Sequence, residues 1–566
     1  MFLHQVRIEN FRGIRRLRLK LDHTTVLVGE NSFGKSNLMA ALDLALGPRA
    51  RGGELKLLPS DVHVPFGAER PSGRPVLIGL IFRERSGGEW ETSSLDPVRA
   101  AMTERSGGRL QLSLQITGRT FGGELHAEAA FLDSAKQPIS DLDDELLLAS
   151  LRRVSPVVHL GAGGFMPNDD GELDDEELGP SLHPDVRRMR FQIRHLFRKL
   201  MARETPPDRA ELEAGLDAVR EALGSRPELL VPKNALPLHR RDLVHTPLHL
   251  ALDRRPKRAL DHPLGSATSA IGPLVLLGAM LEAMGPAGLH PGARPLVVVE
   301  DAEAHLHPTV LASAWGVIEG IKAQRIVTTN SPELLAAVPL SSIRRLVRRR
   351  SHTEVHRLKR RSLSREQLRR VGYHVRMRRG GAFFARCWLL IEGETEAWLL
   401  PELARLVGLD FAVEGVHCIE FAQCGVAPLA KLANDLGIPW HLITDGDDAG
   451  ASYARSAASL RGDAPLEDRV TRLESTDIER CLWDHGYDEV FRRQLPVTVS
   501  GKETTLPPHE VIARAVRSRR KPQLALDVIE AAGRRGSPGV PWPLREVIDT
   551  VVRLARAAVD WDAGRS

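Results

Sequence analysis

A chain of 566 residues with a net charge of +5 is too long for one ordinary core, so two or three domains are expected. Hydrophobic residues at 42% and charged ones at 27% exclude a largely disordered chain, and the longest apolar stretch, Pro273 to Met284, is too short for a membrane span and is interrupted by Glu282. No signal-peptide core appears in MFLHQVRIENFRGIRRLRLKL and no C-x-x-C pair among Cys387, Cys418, Cys424 and Cys481, so a cytoplasmic protein without a zinc ribbon or disulfide framework is expected.

The chain opens with alternation: Leu17, Leu19 and Leu21 are separated by Arg18 and Lys20, which predicts a half-buried strand. A second strand, TTVLV, runs into GENSFGKS at residues 29–36, which satisfies G-x-x-x-x-G-K-[ST] between a strand and an apolar helix. Gly29 and Gly34 let backbone N–H groups surround phosphates at a helix N-terminus, Lys35 reaches the β- and γ-phosphates, and the Ser36 hydroxyl suits Mg²⁺. The intervening Glu30, Asn31 and Ser32, and Asn37 beyond, complete the predicted nucleotide loop.

From about Ile139 to Leu236 helical patterns flank an acidic loop, NDDGELDDEELG, which predicts a helical insertion into the ATPase core. Beyond it, LVVVEDAEAHLHP predicts a buried strand that delivers acids at its C-terminal end, where open α/β sheets place their chemistry. Glu300 fits the acid that supports the metal, and Asp301 the carboxylate that polarises the attacking water. Between Arg344 and Arg379 basic residues greatly outnumber Glu354 and Glu366, which predicts a solvated linker or a phosphate-binding surface.

A new strand and helix alternation begins at Cys387: CWLLI, a helix through Leu403, HCIEF, a helix near Leu432, HLITD and a helix from Ala451. EGETE after the first of these strands provides Glu392, Glu394 and Glu396, and DGDDAG after the third provides Asp445, Asp447 and Asp448. Carboxylates gathered at one edge of a parallel sheet repel one another unless cations neutralise them, which points to Mg²⁺ or Mn²⁺. The chain after about Gly501 reads as helical.

RIENFRGI, GENSFGKSN and EDAEAHLHP followed by IVTTNSPELL together resemble the ATPase half of SMC/RecF-like cassette proteins, and more closely the OLD (overcoming lysogenization defect) family of ATP-dependent nucleases. E-G-x-T-E followed by D-x-D is similar to the TOPRIM pattern of that family. The resemblance implies an α/β protein: a P-loop ABC-type ATPase with a helical insertion, then a Rossmann-like TOPRIM domain and a helical C-terminal segment. The corresponding boundaries are 1–140 and 239–345 for the two ATPase parts, 141–238 for the insertion, read as a dimerisation domain, 346–384 for an arginine-rich linker, 385–500 for TOPRIM and 501–566 for the helical end.

The same resemblance assigns Glu392, Glu396, Asp445 and Asp447 to catalysis and metal binding, with Asp477 and Glu479 in LESTDIERCL either completing a second metal position or standing as surface acids at a helix start. Lys521, with Lys502 in reserve, matches the lysine that stabilises a cleaved phosphate. In the cassette, ATP is sandwiched between two heads, and Ser266 in PLGSATSAIG takes the signature-serine position, followed by Ala267 and Thr268 where two glycines are usual. Asp301 is one methylene shorter than the usual glutamate, and Asn330 replaces the usual switch histidine.

These departures keep phosphate and Mg²⁺ binding but weaken the activation of water, so slow hydrolysis is expected. A topoisomerase would need a tyrosine nucleophile, and Tyr373, Tyr453 and Tyr487 lie in no recognisable cleavage domain. A metal-dependent DNA endonuclease, homodimeric, with a defence or repair partner such as a helicase and no membrane, is the function expected; a DNA-binding scaffold with a non-cleaving TOPRIM domain is the alternative.

Overall fold

Alternating apolar and basic residues set the first hairpin: β1 (Phe2–Phe11) pairs antiparallel with β2 (Ile14–Lys20), burying Val6, Ile8, Leu17 and Leu19 on one face. The strands that follow are β3 (Thr24–Val28), β4 (Val76–Arg83), β5 (Met102–Arg105), β6 (Arg109–Phe121), β7 (Glu124–Leu132) and β8 (Val157–Leu160). Then come β9 (Leu296–Val299), β10 (Gln324–Thr328), β11 (Ile343–Arg348) and β12 (Thr353–His356). They form one sheet in the order β5-β6-β4-β1-β2-β12-β11-β3-β10-β9-β8, with β7 on β6. One wing, from β5 to β2, is antiparallel, and the other, β11-β3-β10-β9-β8, is parallel.

This computed structural model describes residues 1–47, 55–65, 68, 71, 73–105, 107–121, 124–160, 294–301, 303, 315, 323–377, 379–495, 506–519 and 521–559. Most of the predicted insertion, together with Ser266, Ala267, Thr268 and Lys502, lies outside the described residues, as does the side chain of Lys521. The chain divides into two compact units, 1–357 and 358–566.

Strand composition follows the wing. β9 and β10 are buried along their whole length, as parallel strands covered on both faces require, and β9 is accordingly all Leu and Val. β4 alternates buried with half-buried positions because only one of its faces meets the core. The two wings are stitched by Gln324, whose buried carboxamide accepts from the Leu3 N–H at 2.9 Å and donates to the Leu3 carbonyl at 2.7 Å. Leu3 adjoins a register shift in β1, where the ladder to β4 is interrupted, so these two backbone groups take a side chain as partner.

Two sequence boundaries shift. The helix Asp144–Val154 buries Leu147, Leu148, Leu151 and Val154 in the first unit's core, and β8 pairs with β9. Residues 141–160 therefore belong to the ATPase sheet and not to an insertion. The expected linker at 346–384 is instead structured, running through β11, β12, the helix Arg365–Val371 and a π-helical turn over Gly372–Met377. Because β11 lies between β3 and β12, Arg344 and Arg345 are only 1% and 6% exposed, and Arg376 is 2% exposed. Arg344 pairs with Asp22 and donates to the Ser341 and Ile343 carbonyls at 2.6 and 2.9 Å. These three arginines are structural and not a solvated phosphate surface.

The second unit is built on a parallel sheet of β13 (Cys387–Ile391), β14 (Val416–Glu420), β15 (Trp440–Thr444) and β16 (Val470–Arg472), in the order β14-β13-β15-β16. Helices Glu394–Leu406, Val426–Asp435 and Asp448–Ala458 connect the strands. The C-terminal helices Pro508–Arg519, Lys521–Ala532 and Trp542–Val559 close one core, in which Val528, Leu544 and Val551 meet Leu399 and Leu403. The expected α/β class, with a parallel sheet in the second unit and a helical C-terminal segment, is observed.

Replacing Gln324 by Ala would leave a buried N–H and a buried carbonyl of Leu3 unpaired, at about 1–3 kcal/mol each. A fall in denaturant midpoint of that order, without a change of slope, is the expected result.

Candidate functional site

In the first unit, three neighbouring parallel strands, β3, β10 and β9, bring their C-terminal ends to one edge. From β3 the chain enters the glycine loop. Gly29 and Gly34 hold φ values of 148° and 95°, and a Cβ on Gly29 would lie 2.8 Å from the Leu346 carbonyl oxygen. Glycine is needed there for both conformation and space. The FRGI turn supports the loop: a Cβ on Gly34 would meet Ile14 at 3.0 Å, and one on Gly13 would meet the Asn37 carboxamide at 2.7 Å.

Lys35 opens the helix Lys35–Leu46 and is buried. Its ammonium donates to the Gly29 carbonyl and to Asn330 Oδ1, the latter at 2.9 Å. Burial pulls its pKa down, while Asp301, Glu303 and Glu30 pull it back up. Ser36 is exposed in the first turn of the same helix. Asn31 accepts from the Asn330 amide at 3.3 Å, and the Ser32 carbonyl accepts from Arg348 at 3.3 Å.

From β9 come Glu300, half-buried at the strand end, and Asp301, a non-glycine residue at φ 45°. The Asp301 N–H donates to Thr328 Oγ1 at 2.8 Å, and the Thr328 hydroxyl donates to Asp301 Oδ1 at 3.2 Å, which stabilises this backbone conformation. The structure thus gathers Lys35, Asn330 and Asp301 around the glycine loop.

Sequence reasoning missed Glu303. Its carboxylate accepts from the Thr329 hydroxyl at 2.6 Å and from the Asn330 N–H at 2.5 Å, fixing the residue that holds Lys35. It also missed Arg345, whose pKa burial lowers to about 10 against the opposing pull of Glu30. The acidic tail of LVVVEDAEAHLHP was a usable signal for the first. The second was masked by the surrounding arginines.

In the second unit the strand order makes β13 and β15 adjacent, with β14 and β16 outside them, so the crevice between their C-terminal ends is the topological switch point. Glu392 follows β13 and Asp445 follows β15. Asp445 is pushed up to about 7, first by burial and then by repulsion from Glu396, Glu392, Asp477 and Glu479. Glu396 is raised too, by burial and then by Glu479 and Glu392, against hydrogen bonds from backbone N–H groups, that of Gly393 at 3.2 Å among them.

The crowding has a backbone cause. A Cβ on Gly450 would lie 2.0 Å from the Asp445 carbonyl oxygen, and one on Gly446 would lie 2.4 Å from the Ser475 carbonyl oxygen. The two glycines let the D-G-D turn press against both the helix Asp448–Ala458 and the segment leading to Asp477. Arg472 at the end of β16 donates to the Gly446 and Asp447 carbonyls, the latter at 3.1 Å.

Glu392, Glu396, Asp445, Asp477 and Glu479 therefore share one electrostatic field. Asp447 is exposed, and its Oδ1 accepts from the Gly450 N–H at 2.7 Å as a helix cap. Among the described residues no three of these side chains close into a ligating set. Mutually repelling anions spread in this way, and the all-oxygen donor set fits a hard divalent cation such as Mg²⁺ or Mn²⁺. Lys521 begins the helix Lys521–Ala532.

Comparisons with known proteins follow these divisions. The family model described as Protein of unknown function (DUF2813) matches residues 1–382, and the model of the TOPRIM domain of overcoming lysogenization defect-like proteins matches residues 383–447. Uncharacterized protein YbjD of Escherichia coli is 34% identical over 581 residues, covering 99% of this chain and all of its own. Among solved structures, the C-terminal region of the Xanthomonas campestris OLD protein is 17% identical with a TM-score of 0.26, covering 31% of this chain and 97% of its own. The SMC head domain from Thermotoga maritima is 13% identical with a TM-score of 0.29, covering 64% of this chain and all of its own. The family model over residues 383–447 bears out the expected OLD-like TOPRIM domain.

A carboxyl whose folded pKa lies above its unfolded value favours the protonated folded state, so the metal-free protein gains this stability below about pH 4 and loses it as pH rises through about 7. Cation binding needs the ionised form. Mg²⁺ affinity, followed by calorimetry, is therefore expected to rise about tenfold or more between pH 6 and pH 8. Gly450→Ala is expected to cost about 1–3 kcal/mol, read from thermal unfolding, and to weaken Mg²⁺ binding, because the new methyl displaces the Asp445 turn.

Proposed function

We propose that this chain, which belongs to the DUF2813 family and carries an OLD-like TOPRIM domain, is an ATP-binding, divalent-metal-dependent DNA endonuclease in which nucleotide regulates more than it drives. The observation that carries this is Asp445 at the switch point of a parallel sheet, raised to about 7 first by burial and then by the charges of Glu396, Glu392, Asp477 and Glu479. Groups held at such an electrostatic cost mark functional sites.

Glu392, Glu396, Asp445 and Asp447 would hold one cation, with Asp477 and Glu479 at a second position. Bound Mg²⁺ or Mn²⁺ would supply an activated water and stabilise the leaving oxygen of a phosphodiester. Asp445 would give up its proton on binding, and Lys521 would offset charge on the cleaved phosphate.

In the first unit, Gly29 to Asn37 would cradle the phosphates of ATP. Lys35 would exchange Asn330 Oδ1 and the Gly29 carbonyl for phosphate oxygens, while Ser36 and Glu300 would serve Mg²⁺. Asp301 is tied through Thr328, and Asn330 is fixed by Glu303, an arrangement that supports slow hydrolysis. Ser266 of a second copy would complete each nucleotide site, making the active form a homodimer. A role in phage defence or DNA repair, with a helicase or similar partner, fits an ATP-gated nuclease.

The capping role of Asp447 and the spread of the acids favour a second reading, a DNA-binding scaffold whose acids hold metal without cleavage. Incubation of supercoiled plasmid with Mg²⁺ or Mn²⁺ separates the two. The nuclease is expected to nick or linearise it, with Asp445→Asn slower by at least about 10²-fold. Intact plasmid under every metal and ATP condition would favour the scaffold.

A further inference from the structure

The antiparallel wing of the first unit has two unlike faces. Inward, Val6, Ile8, Leu17, Leu19, Ile78, Leu80, Phe82, Leu112 and Leu114 form the core. Outward, the register places Arg7 directly opposite Arg18, with Gln5 opposite Lys20 and Glu9 opposite Arg16 to either side. On the far side of β1, the same outward rows continue into Ile81 and Gly79 of β4 and Ser113 and Gln115 of β6. Arg83 faces Gln111 in the next row, and Arg105 is close enough to both Arg83 and His4 to act on their charge.

Like charges directly opposite across a ladder destabilise a sheet by a few tenths of a kcal/mol or more. Six basic side chains, Arg7, Arg16, Arg18, Lys20, Arg83 and Arg105, nevertheless share this face. Glu9 is the acid among them on β1 and β2, and it lies 2.8 Å from Arg7 and 3.8 Å from Arg16. The cations are accessible: the Arg7 and Arg16 side chains are 44% and 72% exposed, and Arg18 and Lys20 are exposed as well. His4 is depressed to about 4, by burial first and then by Arg83, Lys20 and Arg105, against the opposing pull of Asp22.

Along β2, Arg16, Arg18 and Lys20 recur every second residue, about 7 Å apart, and so present a line of charge. Among the same outward rows stand Leu77, Gly79 and Ile81, with Ser113 and Thr117 beyond them, and Phe2 lies opposite Arg83. The line of exposed cations on β2 suits a phosphate backbone.

We propose that the outward face of β1, β2 and β4, centred on Arg7, Arg16, Arg18 and Lys20, binds the phosphate backbone of duplex DNA. The identity of the polyanion rests on the nuclease reading; the surface itself rests on strand register and exposure. No base contact is involved, so binding is indifferent to sequence and steeply dependent on salt.

The test is fluorescence anisotropy of the full chain with a labelled DNA duplex in EDTA, where no cleavage occurs, across a salt series. The triple variant Arg16→Gln, Arg18→Gln and Lys20→Gln is compared with Arg405→Gln, Arg493→Gln and Arg534→Gln, which removes equal charge from exposed positions of the second unit. Thermal unfolding and ATP binding of each variant report the fold. The first triple is expected to weaken binding at least about tenfold and to flatten the slope of log K against log salt by about 2–3.

Equal losses in both triples would show a net-charge effect and overturn the surface. So would wild-type affinity and slope in the first triple, or binding of an acidic polypeptide that the duplex fails to displace. Intact plasmid in every metal, with DNA binding lost only in the first triple, would remove the nuclease and keep the surface. Nicked plasmid with undiminished binding would do the reverse.

Discussion

Repulsion among carboxylates held at the ends of β13 and β15 is the constraint on which the second unit turns. Glu392, Glu396, Asp445, Asp477 and Glu479 act on one another's charge, while the backbone fixes the turn that carries Asp445. Gly446 and Gly450 admit carbonyl oxygens where a Cβ would collide, and Arg472 grips the carbonyls of the turn. The acids repel one another, and a divalent cation would relieve that repulsion, the condition that the proposed phosphodiester chemistry requires.

The nucleotide edge works by the opposite balance. One buried cation, Lys35, is surrounded by Asp301, Glu303 and Glu30 and held by two oxygen acceptors. The phosphate of the proposed nucleotide would have to compete with Asn330 for it. Because Asn330 is itself held by Glu303 and touches Asn31 of the loop, movement of the lysine is coupled to the strand end after β10. A site so internally satisfied suits a state-dependent switch better than rapid turnover.

Several strands of both units were readable because burial on one face or two leaves different periodicities: alternation in β2, continuous apolar runs in β9 and β13. The glycine loop and the two acidic strand ends were readable because their chemistry is local. Legibility failed where the answer depended on tertiary placement. RRLVRRR looks solvated, yet Arg344 and Arg345 lie in a strand flanked on both sides, and the helix Asp144–Val154 looks like the start of an insertion until its leucines meet the core. Glu303 acts through residues 26 and 27 positions away, a relation no sequence window contains. Asp477 and Glu479 read equally well as surface acids of a helix start until the Gly446 turn brings them beside Asp445.

The most direct measurement is Mn²⁺ binding by electron paramagnetic resonance on the full chain without nucleotide, beside a variant carrying Glu396→Gln and Asp445→Asn. The account predicts bound Mn²⁺ in the wild type and its loss, by about 10²-fold in affinity, in the folded variant. Identical Mn²⁺ binding by the two proteins, or none by the wild type at pH 8, would contradict it.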